Sequence, residues 1–292
     1  MKRLFASIVG LGVALALALA VSVTAAPASA AELKCEPDKL ATKYPGLVGK
    51  TIKIGQDGES PPYSFRDPKD FSHLIGLAAD MARATFACAG VPVEFFTGGW
   101  SGLLPAVIAG QADVMWDTLY YTPERAKAVD FVVYMTAATG GLVAKGNPKK
   151  ITSLDDVCGL RATAGLGTVE ETAFRNISAK CTAAGKAAVD IVTYPDMPGG
   201  TRLIQSDRAD ILLSDLSMVD RLVSLTPNSF ERGFMMLTDY KIAVGLTKGN
   251  KDLAQAILDG LLIMKANGSD KVLFKKYNVD YALARTNEIL TK

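Results

Sequence analysis

Two periodicities alternate along the chain. Thr51–Gln56 switches between apolar and polar residue by residue, the period of a half-buried strand. Leu74, Leu77, Ala78, Met81 and Ala82 then fall on one helical face. Val91–Phe96 is again β-rich, Leu103, Leu104, Val107 and Ile108 form a short helical stripe, and Asp113–Trp116 is a short apolar strand. Further strands are predicted at Gly140–Ala144, Leu160–Ala164, Val189–Tyr194, Ala209–Ser214 and Ile242–Thr247. Helices are predicted at Val169–Ala184, Gly199–Asp207, Asp215–Leu225 and Leu253–Ala266. Strand and helix in alternation imply an α/β fold of parallel sheets covered by helices. Neither a repeat of fixed period nor a low-complexity linker interrupts the pattern.

The first residues follow a different rule. Lys2 and Arg3 precede an apolar run from Ile8 to Val23, and Ala28-Ser-Ala30 follows. A charged start, an apolar middle and an A-x-A site describe a cleaved signal peptide over residues 1–30. A membrane anchor is the rival, but the run is short, rich in Ala and Gly, and no stop-transfer charges follow it. Cys35 follows Glu-Leu-Lys, where a lipid-bearing cysteine needs small residues, so an exported, soluble, periplasmic chain is expected.

The net charge is +2, and Lys2 and Arg3 belong to the leader, which has no acidic residue, so the mature chain is near neutral. No Lys/Arg cluster invites nucleic acid or an anionic membrane. Hydrophobic residues make up 49% of the chain, enough for the core of one large or two modest domains. An even set of cysteines in an exported protein points to disulfides. Cys35, Cys88, Cys158 and Cys181 allow three pairings. Cys158–Cys181 would join two ends of one βα region, and Cys35–Cys88 would tie the leading segment to the first helix; buried free thiols are the alternative. With no C-x-x-C and a single histidine, His73, no zinc site and no other cofactor is implied.

Ligands of open α/β sheets sit beyond the carboxyl ends of strands. That rule marks Asp57–Tyr63, Asp117–Tyr121, Gly165–Val169 and Ser214–Asp215 as candidate rims. At the second rim, Thr122-Pro123-Glu124-Arg125 is a helix-start signal, with Thr118 and Arg125 close by. A strand end meeting a helix start beside a guanidinium suits an anion. A surface Arg125 paired with Glu124 or Asp130 explains the same residues. Asp215 is either an acidic ligand contact or the cap of the helix starting at Leu216. Gly165-Leu-Gly167 lacks the third glycine and acidic partner of a dinucleotide site.

Thr122-Pro-Glu-Arg125, then Val129-Asp-Phe131 and Tyr134, resembles the signature of the amino-acid-binding proteins of ABC importers, the bacterial extracellular solute-binding proteins of family 3. Trp100–Asp113, Ser153–Gly159, Gly167-Thr168 and Asp207–Asp215 fall in the same order, and the likeness runs from about Thr51 to about Tyr277. It implies a two-lobed periplasmic-binding-protein-like fold (type II) with two hinge crossovers, near Thr139–Leu142 and Thr238–Ile242. Lobe 1 would hold residues 31–139 and 241–292, and lobe 2 residues 140–240. The resemblance implies that Arg125, Thr118 and, after Gly167 at a helix start, Thr168 hold a ligand carboxylate, that Tyr120 adds mainly a backbone N–H, and that Asp215 takes the ammonium from the opposite lobe. Trp100 would lie against the ligand side chain, with a place in the core as its alternative, and Tyr63 is a second candidate wall. Ser60 stands where an aromatic is common, which opens one wall, and Asp117 stands where Ser or Gly is common. With Asp57 and Glu59 it brings three carboxylates to one rim, a setting for a cationic group or simply for solvated loop carboxylates.

Enzyme readings find little support. There is no G-x-S-x-G elbow, and one histidine, placed near a helix start after Asp70 and Phe71, makes no triad. Asp117 with Asp215 is a conceivable hydrolytic carboxylate pair. Some relatives of the family are dehydratases of cyclohexadienyl acids, and others are sensing domains of receptors, which continue into a membrane segment; this chain ends at Lys292. The expectation is a monomeric binding protein that captures an amino-acid-like ligand by cleft closure and passes it to the permease subunits of an ABC importer.

Overall fold

The computed structural model describes residues 34–292; the expected signal peptide and its cleavage site lie outside the described residues. The chain begins with helix α1 (Leu40–Lys43), then strands β1 (Ile52–Gln56), β2 (Glu59–Ser60), β3 (Ser64–Asp67) and β4 (Asp70–Ile75). Helix α2 (Leu77–Ala89), β5 (Val93–Thr97), α3 (Trp100–Ile108), β6 (Val114–Met115) and β7 (Val129–Ala144) follow. Then come β8 (Arg161–Gly165), α4 (Val169–Ala183), β9 (Asp190–Tyr194), α5 (Met197–Gln205), β10 (Ile211–Asp215) and α6 (Leu216–Leu225). The last elements are β11 (Phe230–Thr247), α7 (Lys251–Asn267), α8 (Ser269–Lys276) and β12 (Ala284–Leu290).

The sheet runs β5-β1-β6-β11-β7-β10-β8-β9, with β12 added on β7. Its flanks are parallel: β5, β1 and β6 on one side, β10, β8 and β9 on the other. Its centre is an antiparallel pair, β7 and β11, each long enough to serve both flanks. The carboxyl half of β11 pairs with β6 at Gly245 and Leu246, while β10 pairs with β7 at Thr139–Leu142. Between these regions the β7–β11 register shifts, at Leu237/Lys241 and again at Ile242/Ala243. The molecule is thus two α/β lobes joined through one shared ribbon. β7 is buried along almost its whole length, as a strand covered on both faces must be.

The helices expected from periodicity form within a few residues of their expected bounds. α2 ends at Gly90 in the left-handed conformation, the usual stop signal. Three expectations change. The predicted strand at Gly140–Ala144 is only the end of β7, which runs buried and without a break from Val129. The helix expected from Thr122-Pro123 is a single 3₁₀ turn, Arg125–Lys127; Thr122 Oγ1 accepts from the Arg125 N–H at 3.2 Å, but the chain enters β7 two residues later. His73 lies in β4 of a small three-stranded antiparallel sheet, β2-β3-β4, and not at a helix start.

Disulfides join Cys35 to Cys88 and Cys158 to Cys181, so each fastens one end of the chain's local architecture: the leading segment to α2, and α4 to the start of β8. No cysteine among the described residues is free.

Candidate functional site

A cavity of about 580 Å³, its open mouth included, lies between the lobes. Asp57, Ser60, Trp100, Thr118, Tyr120 and Arg125 line it from one side; Gly165, Thr168, Glu170, Tyr194, Asp196, Ser214 and Asp215 line it from the other. All four rims marked by strand ends therefore meet in one cleft.

Arg125 is held by the backbone. Its guanidinium donates to the Tyr120 carbonyl at 2.7 Å and, across the cleft, to the Gly167 carbonyl at 2.9 Å. It stands 5.6 Å from the Trp100 ring centroid, and Trp100 Nε1 donates to the Asp117 carbonyl at 2.9 Å, which fixes that ring against the rim. The surface-pair alternative fails: Glu124 pairs with Lys127, and Asp130 with Lys248 at 3.2 Å. Burial lowers the Arg125 pKa and the nearby Glu170 charge works against this, so the group stays a cation. Thr118 beside it has φ 48°, a left-handed conformation that a β-branched residue adopts only where the surroundings impose it.

Asp215 does both jobs considered for it. Its Oδ1 accepts the Ser217 N–H at 2.9 Å and so caps α6. The same oxygen accepts from the Tyr63 hydroxyl at 2.9 Å, and Oδ2 accepts from the Tyr120 hydroxyl at 3.3 Å, both from the opposite side of the cleft. Burial raises its pKa to about 6, against the lowering effect of those donors. Tyr63 is fully buried and lies behind the cleft surface, so it supports Asp215 and is not a wall. Tyr120 contributes its side chain and carbonyl, more than the N–H expected of it.

Thr168 lines the cleft, but its hydroxyl donates to the Gly165 carbonyl at 2.8 Å and accepts from the Glu171 N–H at 3.1 Å, capping α4. Gly167 has φ +77°, which turns its carbonyl towards Arg125 and its N–H onto Glu171 at 2.7 Å. Asp117 is wholly buried beneath the rim; its Oδ2 accepts the Asp57 N–H at 2.6 Å and its Oδ1 meets no partner. Burial, and then the Asp57 charge, push its pKa well above the usual carboxylate range. It holds the loop that carries Asp57. Asp57 in turn accepts from the Glu59 N–H at 2.9 Å and from the Ser60 hydroxyl. Asp117 and Asp215 do not form a hydrolytic pair in the cleft, since only Asp215 lines it. Glu59 is exposed and outside the lining.

Glu170 escaped sequence reading. It sits at the second residue of α4, only 6% exposed, and its carboxyl is raised to about 7 by burial, with the Asp215 charge adding to the shift. Asp196, which ends the loop after β9, caps α5 through the Gly199 N–H at 2.6 Å. The signal for both was positional: each follows the carboxyl end of a parallel strand.

The fold has known counterparts. The family model for bacterial extracellular solute-binding proteins, family 3, matches residues 52–280. The L-cystine-binding protein TcyJ of Escherichia coli (strain K12) is 29% identical over 239 residues, covering 80% of this chain and 86% of that protein. The structure of an ancestral arginine-binding protein bound to glutamine superposes with a TM-score of 0.72 at 27% identity, over 79% of this chain and 98% of that one. The ancestral amino acid-binding protein AncCDT-1, a precursor of cyclohexadienyl dehydratase, gives 0.69 at 27% identity, over 82% of this chain and 98% of its own. Matched over most of its length, and carrying the charged cleft between two lobes, the chain belongs to the bacterial extracellular solute-binding proteins, family 3.

Proposed function

We propose that the protein is a periplasmic binding protein that closes on an amino-acid-like ligand and delivers it to an ABC importer, with no chemistry of its own. The observation that carries this reading is that Arg125 and Asp215 line one cavity from opposite lobes. An α-amino acid has a carboxylate for the first and an ammonium for the second, and both must be matched once water leaves. Thr118 and Thr168 border the carboxylate end, Trp100 flanks the side chain, and Tyr63 and Tyr120 orient Asp215. Lobe 1 comprises residues 31–139 and 241–292 and lobe 2 residues 140–240; the shift in β7–β11 register at Leu237/Lys241 supports hinges there. The protein works as a monomer, exported by its leader, with the permease as its macromolecular partner. Among the described residues no helix is long and apolar enough to cross a membrane. The test is a thermal-shift and calorimetric screen against amino acids, amines and opine-like conjugates: a ligand raises Tm in proportion to occupancy.

One observation favours a second reading. A carboxyl in the cleft raised to about 7, that of Glu170, is poised to donate a proton. Any ligand found in the screen should be recovered unchanged after incubation with pure protein. Conversion of a cyclohexadienyl acid would replace transport with a dehydratase.

A further inference from the structure

Of the buried carboxylates outside the cleft, Asp117 lies beneath the rim and accepts only the Asp57 N–H, and the others are matched. Asp130 pairs with Lys248 at 3.2 Å, Glu171 with Arg175 at 2.6 Å, and Asp270 accepts from the Tyr281 hydroxyl at 2.6 Å. Within the cleft, Asp57 and Asp196 are engaged by their own turns and Asp215 by two phenols and a helix cap. Glu170 differs. It is 94% buried by its 6% exposure, lines the cavity and forms no ion pair among the described residues; the donors beside it, its own backbone N–H and the Thr168 and Tyr120 hydroxyls, are all neutral. The hydroxyls nearest it are committed elsewhere, Thr168 to the Gly165 carbonyl and Tyr120 to Asp215. A carboxylate left without a counter-charge in a closing cleft costs free energy unless the ligand supplies one.

An α-amino acid bound as proposed above uses Arg125 for its carboxylate and Asp215 for its ammonium. Glu170 then remains. We infer that Glu170 pairs with a second positive charge, on the ligand's side chain, so that the site selects amino acids with cationic side chains over neutral isosteres. This rests on the amino-acid reading of the cleft. The groups facing Glu170 are Asp215 and Tyr194 from its own side and Tyr120 and Arg125 from the other. Of these only Arg125 is a cation, and its fork is turned onto the Tyr120 and Gly167 carbonyls. Because the Glu170 carboxyl titrates near 7, a cationic side chain must draw off its proton on binding. Affinity for such a ligand therefore rises as pH goes from 6 to 8, and protons are released.

The experiment is calorimetric titration of the mature protein with L-arginine, L-lysine, L-ornithine, L-citrulline and L-glutamine, at pH 7 in buffers of different ionisation enthalpy. At least one cationic amino acid should bind about thirtyfold or more tighter than citrulline or glutamine, as expected for a desolvated charge pair, and should release protons. Glu170→Gln should reduce that preference to within about threefold and cut the proton release to the small share that Asp215 contributes for every amino acid. Circular dichroism of the variant controls for folding, and the proton release of the unaltered protein is a test that needs no variant. A neutral amino acid bound as tightly as its cationic counterpart overturns the inference alone. So does an equal loss of every ligand in Glu170→Gln, which would make Glu170 a support for Arg125. Failure of every α-amino acid to bind overturns the amino-acid reading and this inference with it.

Discussion

Replacing Asp215 by Asn should make the ligand-free protein more stable and the ligand-bound complex weaker. The carboxylate sits 4% exposed, and burial raises its pKa from 3.8 to about 6. A folded pKa above the unfolded one means that the folded state holds the proton more tightly. Stability from the protonated form is full below pH 4 and is lost as pH rises through 6. At pH 7.5 the ionised group thus costs roughly 3 kcal/mol relative to a neutral one. Asparagine removes that cost and caps α6 about as well as aspartate, keeping the Ser217 contact. Its amide replaces an oxygen facing the Tyr63 and Tyr120 hydroxyls, which can turn to accept, at some loss in geometry. The net expectation is a rise in Tm of a few degrees, since a domain of this size moves about 2–4 °C per kcal/mol. The gain should disappear at pH 4, where Asp215 is itself protonated. Binding moves the other way: a ligand ammonium left opposite a neutral amide loses about 2–5 kcal/mol, a factor of thirty to several thousand. Differential scanning fluorimetry at pH 4 and pH 7.5, with calorimetry against the ligand found in the screen, measures both. A variant that binds as tightly as the unaltered protein, or that loses stability at pH 7.5, would reduce Asp215 to a helix cap and refute the argument.

Arg125→Lys should weaken binding at least about thirtyfold by calorimetry, because a single ammonium cannot span both the Tyr120 and Gly167 carbonyls and still grip a carboxylate. The disulfides close loops with sequence separations of 53 and 23 residues, so opening the first (Cys35→Ala with Cys88→Ala) should cost about 4 kcal/mol and the second (Cys158→Ala with Cys181→Ala) about 3, read from urea midpoints. Equal denaturation midpoints with and without reductant would contradict that. Intact-mass analysis of periplasmic protein should find an N-terminus at Ala31; a chain retaining Met1 would refute export by cleavage.

Much of this was legible from local pattern. Periods of two and of 3.6 are properties of neighbouring residues, so β1, α2, α4 and α7 could be placed without knowing what they pack against. The order Thr122-Pro-Glu-Arg125, Val129-Asp-Phe131 and Asp207–Asp215 carried the family, and with it Arg125 and Asp215. Strand ends in an α/β sheet identified the rims because geometry leaves the crevice there. What failed were statements about what a residue faces. A mostly apolar stretch cannot say that Val129–Ala144 is one strand serving two lobes; that depends on β11 lying beside it for the whole length. Tyr63 reads as a pocket wall until its hydroxyl is seen on Asp215, 152 residues away in sequence. Glu170, one acidic residue among several at the start of a helix, is ordinary in sequence. Only the tertiary fold buries it beside Asp215 and Tyr120, raises its pKa to about 7 and leaves it without a counter-charge. Periodicity is written in the chain because backbone geometry repeats every few residues. Burial and charge balance are set by distant segments meeting across the cleft, so the tertiary structure alone decided them.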